Sequence, residues 1–560
     1  MMDSIRDSLG SLPRNWSASS NMSNLSSAKG PKPPSRKMQF IEKYRAWLLF
    51  FFVLPRSVVL RYVEIVFRWL TAPSPAKHEQ RVRRVCAAVE RWGTLKEPKP
   101  PMCTDRSANF SHSVRRTDKS KWHRIAIGDL RAILGIEAST RHGSVIRVEP
   151  GVTVKEATQY LLERGLMLEC TLEMEDATLG GLAAATGMTT HSHACGLIHD
   201  TIVEYKVVDC TGAVVTASAD KNPELYRALP FSHGSLGLIV GLTLRVVAAK
   251  PMVKLTYTPF KSLDKFATTY REKLTAGDAA PFFLEAIIFS RESAVMVTGD
   301  LVEAVDKKGR WAADGLRVEY LGRWWKPWYF TRVRQALARG KWSEVVPIYE
   351  YLMRHDRSMC MTMATVMPFG NDPWFRYLFG WMLPPKMSLL KGSQDAETRE
   401  ASLRKQVYQD VGFPARKLEE AVETSDSLFE IYPLLCYPCK VPAAAPGRMV
   451  RGTAGKAEAF ANLGIYGVPP PIAKKRPFKT LHAVRALEKW VRQVGGFQHT
   501  YCDSLQSRAE FEIMFDTTLI DELRARDGGA AAKAFVDVYT KTRPEVDFGA
   551  WIKEEAEWAM

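Results

Sequence analysis

Cysteine is scarce in this chain of 560 residues: nine thiols at irregular spacing exclude a disulfide-stapled framework and point to a reducing compartment. Long apolar runs are scarce too. Ala46–Leu54 supplies nine apolar residues in succession before Pro55 and Arg56 interrupt it, whereas a bilayer span takes about 20. That excludes a polytopic membrane protein. Acidic residues are short of basic ones, 61 against 78, which gives a formal charge of +17 and a surface suited to polyanions or an anionic membrane. No Rossmann glycine fingerprint and no Walker lysine occur. What the chain does have is 46% hydrophobic and 25% charged residues, the balance of a protein with a large core, and a length that suggests several domains.

The organisation read along the chain has five parts. Residues 1–38 are rich in Ser, Asn, Pro and Lys and end in the basic stretch Lys29–Lys37, so disorder is expected there. Residues 39–72 carry the apolar run, flanked by Lys43, Arg45, Arg56, Arg61 and Arg68. This segment reads as a membrane-anchor helix, spanning or interfacial, with a very hydrophobic core helix as the competing reading. Residues 73–250 alternate strand and helix signals. Val82, Val85, Cys86 and Val89 repeat at helical spacing, and Thr153 with Glu156 forms a capping box ahead of Val154, Ala157, Leu161 and Leu162. Val203–Asp209, the Thr211-Gly212 turn and Ala213–Thr216 read as a hairpin. An α+β or α/β domain follows, continued by a region over 251–480 and a C-terminal segment over 481–560.

One stretch stands apart: Thr178-Leu179-Gly180-Gly181-Leu182-Ala183-Ala184-Ala185-Thr186-Gly187-Met188-Thr189-Thr190, followed by His191, Ser192, His193 and Gly196. Paired glycines and small residues let backbone N–H groups approach phosphate oxygens closely, although such a turn is equally a tight helix start. His191, His193 and His199 are not a convincing metal set, because loop spacing does not establish convergent ligands, and no metal is expected. Cys436 and Cys439 form a C-x-x-C pair with no second pair at zinc-finger spacing, and coincidence is the preferred reading.

The glycine stretch, with Glu175 and Asp176 ahead of it, resembles the FAD loop of PCMH-type (vanillyl-alcohol-oxidase-like) flavoproteins. The turn Asp209–Gly212, then Asn222–Tyr226 and Gly234–Gly241, follow in the order of that superfamily. Further on, Lys326–Phe330, Arg354-His355, Pro368–Asn371, Phe375–Lys386, Gly495–Gln498, Tyr501, Asp503 and Glu510–Asp516 resemble the Δ24-sterol reductase (diminuto/dwarf-like) family, over about residues 40–545. The resemblance implies a two-subdomain FAD-binding domain over 73–250, an α+β cap domain over 251–480 that takes the substrate, and a contribution to the active site from 481–560. It implies dissociable FAD, hydride from NADPH, and reduction of the C24 side-chain double bond of sterols; a flavin-dependent oxidase or reductase of another lipid, or a catalytically impaired sterol-binding homologue, is the alternative. The implied location is the endoplasmic reticulum or a related endomembrane, the catalytic part facing the cytosol. Sterol and membrane lipids are the expected partners; nucleic acid is not, and the oligomeric state stays open.

On this resemblance the cofactor site comprises the run 178–190 with His193, Gly196 and Arg106. An isolated alkene needs a proton donor beside the hydride. Tyr501 is the first choice for that acid and His355 the second, each with a structural role as competitor. Three positions depart from the family pattern. Asp105 brings a carboxylate toward the expected phosphates, beside a compensating Arg106. Thr362 stands where the family carries Glu, and Lys206 stands where an acid is usual.

Overall fold

The computed structural model describes residues 35–106, 119–303, 316–544 and 546–557; the stretch expected to be disordered lies outside them except for its last four residues. The α+β expectation holds, built on two antiparallel sheets. The first runs Ile133–Ser139, Gly143–Val148, Leu238–Ala248, Ile202–Val208, Val214–Ser218, with Leu166–Leu168 pairing the far end of Leu238–Ala248. Beside it, Met102–Thr104 pairs in parallel with His123–Ile125. The helix His78–Gly93 buries Val82, Val85 and Val89 against that pair, the face that the periodicity picks out. Phe535, from far down the chain, packs into the same cluster.

The capping box forms as expected: Thr153 Oγ1 accepts the Glu156 N–H, and the Glu156 carboxylate accepts the Thr153 N–H. Each satisfies a backbone donor that the first helical turn leaves free. The hairpin forms too, with Ile202–Val208 antiparallel to Val214–Ser218.

The second sheet has eight strands, in the order Trp342–Pro347, Met252–Phe260, Ser293–Val302, Phe283–Ser290, Leu434–Val441, Glu458–Gly467, Val407–Pro414, Phe497–Gln498. Its last strand comes from the C-terminal segment, so that segment is woven into the sheet. Every residue of Val407–Pro414 is buried, since neighbouring strands and helices cover both its faces. The amphipathic helix Thr480–Gln493 lays Leu481, Val484, Leu487, Trp490 and Val491 onto that region, at the helical spacing that puts them on one stripe.

The apolar N-terminal run folds as helix Arg36–Leu48, a π-helical turn Leu49–Val53 and helix Leu54–Leu70. Pro55 has no N–H to give the Phe51 carbonyl, and the wider turn just ahead of it absorbs that lost bond. Leu49, Phe50 and Leu54 point inward, onto a cluster containing Met359, Met363, Met367, Phe375 and Met382. Ser57 Oγ accepts the Lys386 N–H at 3.1 Å, and Arg45 donates to the Thr365 carbonyl at 2.8 Å. The opposite face is exposed. Among the described residues, no helix is long and apolar enough to cross a membrane.

Candidate functional site

A cavity of about 400 Å³ lies between the two sheets, within the range of cofactor and ligand sites. One wall is the glycine stretch. Leu179–Ala184 forms a short helix with Thr178 at its N-cap, and a Cβ on Gly180 would stand 2.3 Å from Pro150 Cβ. Only glycine lets the helix start approach the Pro150 turn this closely. Thr178, Gly180, Gly181, Leu182, Ala184, Ala185, Thr186 and Met188 face the cavity. Leu179 and Ala183 pack into the core instead. Gly187, Thr189, Thr190, His193 and Gly196 stand behind the wall: Thr189 Oγ1 reaches Glu173 at 3.3 Å, Thr190 Oγ1 pairs with the Tyr351 hydroxyl at 3.1 Å, and Gly196 abuts Asp200.

The histidines of this stretch are held by carbonyls. His193 Nε2 bonds the Pro281 carbonyl at 2.9 Å, and His191 Nδ1 bonds that of Phe282 at 2.7 Å. Burial, then His191, pushes His193 down to about 4, so its ring is neutral and acts as a strut. Cys436 and Cys439 lie three residues apart on one strand, an odd offset that sends their side chains to opposite faces.

Among the described residues, three cations line the cavity: Arg106, Lys119 and Lys541. Arg106 donates to Thr178 Oγ1 at 2.7 Å, Lys119 to the Thr104 and Arg106 carbonyls at 2.9 and 2.6 Å, and Lys541 to the His233 carbonyl at 2.9 Å. Burial lowers the pKa of all three, and for Lys541 burial with Arg524 and Lys119 brings it to about 7. Lys119 and Lys541, buried and donating to neutral carbonyls, are incompletely compensated among the described residues, which suits them to an anion. Thr186 Oγ1 is buried with no partner among the described residues and belongs to the same wall. Cations, a glycine approach and an orphaned hydroxyl fit a polar, anionic cofactor such as FAD.

Asp105 departs from its sequence expectation. Its Oδ1 accepts the Ile127 N–H at 3.1 Å, and it is not among the cavity-lining residues. Thr362 likewise does not line the cavity. It begins the short helix Thr362–Val366, after three consecutive left-handed residues, Met359, Cys360 and Met361, with φ of 47°, 49° and 73°. That turn costs roughly 1 kcal/mol or more per residue, and it places Cys360 on the cavity wall. Lys206 Nζ lies 3.6 Å from Glu79.

The far wall belongs to the second sheet and the C-terminal segment: Asp410, Leu435, Tyr437, Asn462, Tyr466 and Tyr501. Tyr501 Oη donates to Asp410 Oδ2 at 2.9 Å, and its ring stacks on His499. His355 does not line the cavity. It is fully buried, with Nε2 3.2 Å from Glu285, whose carboxylate also takes two bonds from Arg354 at 2.9 Å. Burial followed by Arg354 lowers the pKa of His355. Burial works against the Glu285 charge, yet Arg354 and His355 hold it at about 2. This is an ion-pair network beside the site.

A family model described as an FAD binding domain matches residues 125–218. The Δ24-sterol reductase of Homo sapiens is 32% identical over 509 residues, 90% of this chain and 94% of that protein. That of Pisum sativum is 30% identical over 549 residues, 93% of this chain and 95% of that protein. The chain belongs to the Δ24-sterol reductase family. A 104-residue stretch, 19% of this chain, is also 34% identical to 20% of the D-arabinono-1,4-lactone oxidase of Yarrowia lipolytica. That likeness is local, whereas the likeness to the sterol reductases covers about 90% of the chain.

Residues that sequence reasoning passed over complete this reductase-family site: Lys119, Glu173, His233, Asp410, Tyr437, Asn462, Tyr466 and Lys541. Asp410 carried a readable signal. An acid inside the strand-like run Val407-Tyr-Gln-Asp-Val-Gly-Phe is a polar group that the fold has to bury and satisfy.

Proposed function

We propose that this chain uses FAD, held without a covalent bond, and NADPH to reduce the C24 double bond in the side chain of a sterol. The observation that carries the reading is one cavity joining the FAD-domain glycine stretch to Tyr501 on the opposite wall. When bound, FAD supplies the hydride chemistry. Arg106, Lys119 and Lys541 bind and orient its anionic part. The apolar flanks Leu172, Met174, Leu238 and Leu435 exclude water around an alkene that offers no polar handle. Tyr501 lines the cavity and holds a proton at Oη, which donates to Asp410 Oδ2 at 2.9 Å. Burial, reinforced by the charge of Asp410, raises its pKa well above the usual phenol value, so the hydroxyl stays protonated at every physiological pH.

An anaerobic absorbance titration of detergent-purified protein with FAD tests this. NADPH is expected to bleach the flavin band, and a Δ24-unsaturated sterol to restore it with formation of saturated product. Bleaching without recovery assigns a different electron acceptor, and no flavin uptake removes the reading altogether.

The protein works at a membrane surface in this reading, at the endoplasmic reticulum or a related endomembrane, with the catalytic part on the cytosolic side. Support comes from the outer face of residues 36–70, where Phe51, Phe52, Tyr62, Phe67 and Trp69 are exposed, Trp69 by 76%. Trp374, Tyr377, Leu378 and Trp381 of the segment against which this helix packs are exposed as well. Exposed aromatics with arginines and lysines among them suit the headgroup layer.

A further inference from the structure

Among the described residues, two carboxylates line the cavity, Glu173 and Asp410, and their surroundings differ. Glu173 lies 3.4 Å from the Arg354 guanidinium, so a cation compensates its charge. Asp410 is 2% exposed and has no ion pair with any described Lys or Arg. Its neighbours are neutral donors: Asn462 Nδ2 at 3.0 Å on Oδ1, with Tyr466 Oη and Tyr501 Oη both on Oδ2. The three donors favour the ionised form, two of them sharing Oδ2; when burial brings a proton onto Oδ2, that oxygen turns from acceptor to donor and frees a tyrosine O–H.

We propose that Asp410 is the proton reservoir for the reduction, handing its proton to Tyr501 as Tyr501 gives its own to the sterol side chain. The inference rests on the reading above and deepens it. The alkene accepts an electron pair with the hydride, which NADPH ultimately supplies, at its more substituted carbon. The Tyr501 O–H bond breaks and a C–H bond forms at the neighbouring carbon. The Asp410 O–H proton passes to the Tyr501 oxygen, leaving a carboxylate that solvent reprotonates after product leaves. One hydride and one proton are added, and the protein returns to its starting state. Asp410 touches Tyr501 and not the reacting carbon, so it is a positioning residue.

The groups facing Asp410 come from three elements. Strand Glu458–Gly467 contributes Asn462 and Tyr466. The segment after Phe497–Gln498 contributes Tyr501, with His499 stacked on it and Cys502 beside it. The left-handed turn contributes Cys360. Burial drives His499 down to about 3 and pushes Cys360 up, so both are neutral. Burial also lifts Asp410 from 3.8 to about 6, against the pull of its three donors.

The test follows the sterol-dependent reoxidation of pre-reduced flavin by anaerobic stopped flow, with Asp410→Asn and Asp410→Glu in the full-length protein. Wild type is expected to slow as pH rises through an inflection near 6. D410N is expected to lose the inflection and run about 100-fold slower, in the range of general-acid effects. NADPH bleaching should stay within about twofold of wild type, and D410E should restore the inflection. An inflection that persists in D410N, or equal slowing of both half-reactions, overturns the proposal. Infrared pH titration of the same proteins supplies a second readout. A carboxylic C=O band titrating near 6 and missing in D410N supports the reservoir, and no difference between the two proteins overturns it. If sterol fails to reoxidise wild-type flavin, the sterol reading falls, and the infrared result still decides the protonation of Asp410.

Discussion

Lys541 concentrates the electrostatics of the cofactor wall in one side chain. A buried ammonium with two cations for neighbours and only carbonyls to donate to gives up its proton at about 7. Between about 7 and 10 the unfolded chain therefore holds a proton that the folded chain has lost, and this group's contribution makes the cofactor-free protein more stable as pH rises through that window. A bound pyrophosphate reverses the balance by drawing the proton back, so FAD affinity should fall as pH rises above 7. Lys541→Met is expected to bind FAD about 10- to 100-fold more weakly, the ~1.5–3 kcal/mol of a charge-assisted hydrogen bond, and to lose that pH dependence. Fluorescence titration with FAD from pH 6 to about 9 reads both effects. On the opposite wall, Tyr501→Phe keeps the ring stacked on His499 and removes only the hydroxyl. Sterol-dependent reoxidation should slow by ~100-fold or more while reduction by NADPH is unchanged; equal rates in the variant would remove Tyr501 as the donor.

At the scale of elements, the short helix Leu179–Ala184 does most to shape the site, and its position depends on Gly180. Gly180→Ala drives a methyl group into Pro150, with contacts of 2.3 Å to Cβ and 2.9 Å to the carbonyl oxygen. The backbone has to shift, at a cost of about 1–3 kcal/mol. The expected outcome is a Tm lowered by a few degrees together with purification largely free of flavin, whereas Gly93→Ala, whose added methyl meets nothing within 4 Å, should keep its flavin. The strand Val407–Pro414 teaches the complementary lesson. Its hydrophobic pattern is legible, yet that Asp410 faces the cavity depends on pairing with Glu458–Gly467 in a register that sets Asp410 opposite Gly464, between Asn462 and Tyr466. A slip by one residue would turn Asp410 to the other face of the sheet.

The whole molecule joins a polar cofactor wall, a second sheet that closes the cavity, and an apolar outer face. Helix residues 36–70 and the segment Pro373–Met382 are distant in sequence but share one buried cluster, so their exposed aromatics belong to one surface. Replacing Trp374, Tyr377, Leu378 and Trp381 together by Ser is expected to lower binding to anionic vesicles by ~100-fold or more, from the loss of several large apolar contacts at about 1.5–3 kcal/mol each when fully buried. Cosedimentation measures it, and activity in detergent should be unchanged. Undiminished vesicle binding would assign the seat to the N-terminal helix alone.

Periodicity, capping and turn residues determined a mixed helix-and-strand class, the helix at Thr153–Glu156 and the hairpin after Ile202, because these depend on neighbours within a few residues. The glycine stretch was legible because close backbone approach restricts the residue type at the position itself, whereas Arg106 and the flavin assignment came only through the family resemblance. Composition also marked the N-terminal run as unusually apolar. Only the tertiary structure decided which of its faces packs inward, that Asp105 turns to the Ile127 amide, that His355 serves an ion-pair network, and that Asp410, Asn462, Tyr466, Tyr501 and Lys541 meet at one cavity. Those residues are spread over 132 positions of chain, from 410 to 541. Their convergence comes from antiparallel pairing of remote strands and from burial, which raises one acid, lowers one lysine and is felt only once the sheets have closed around them.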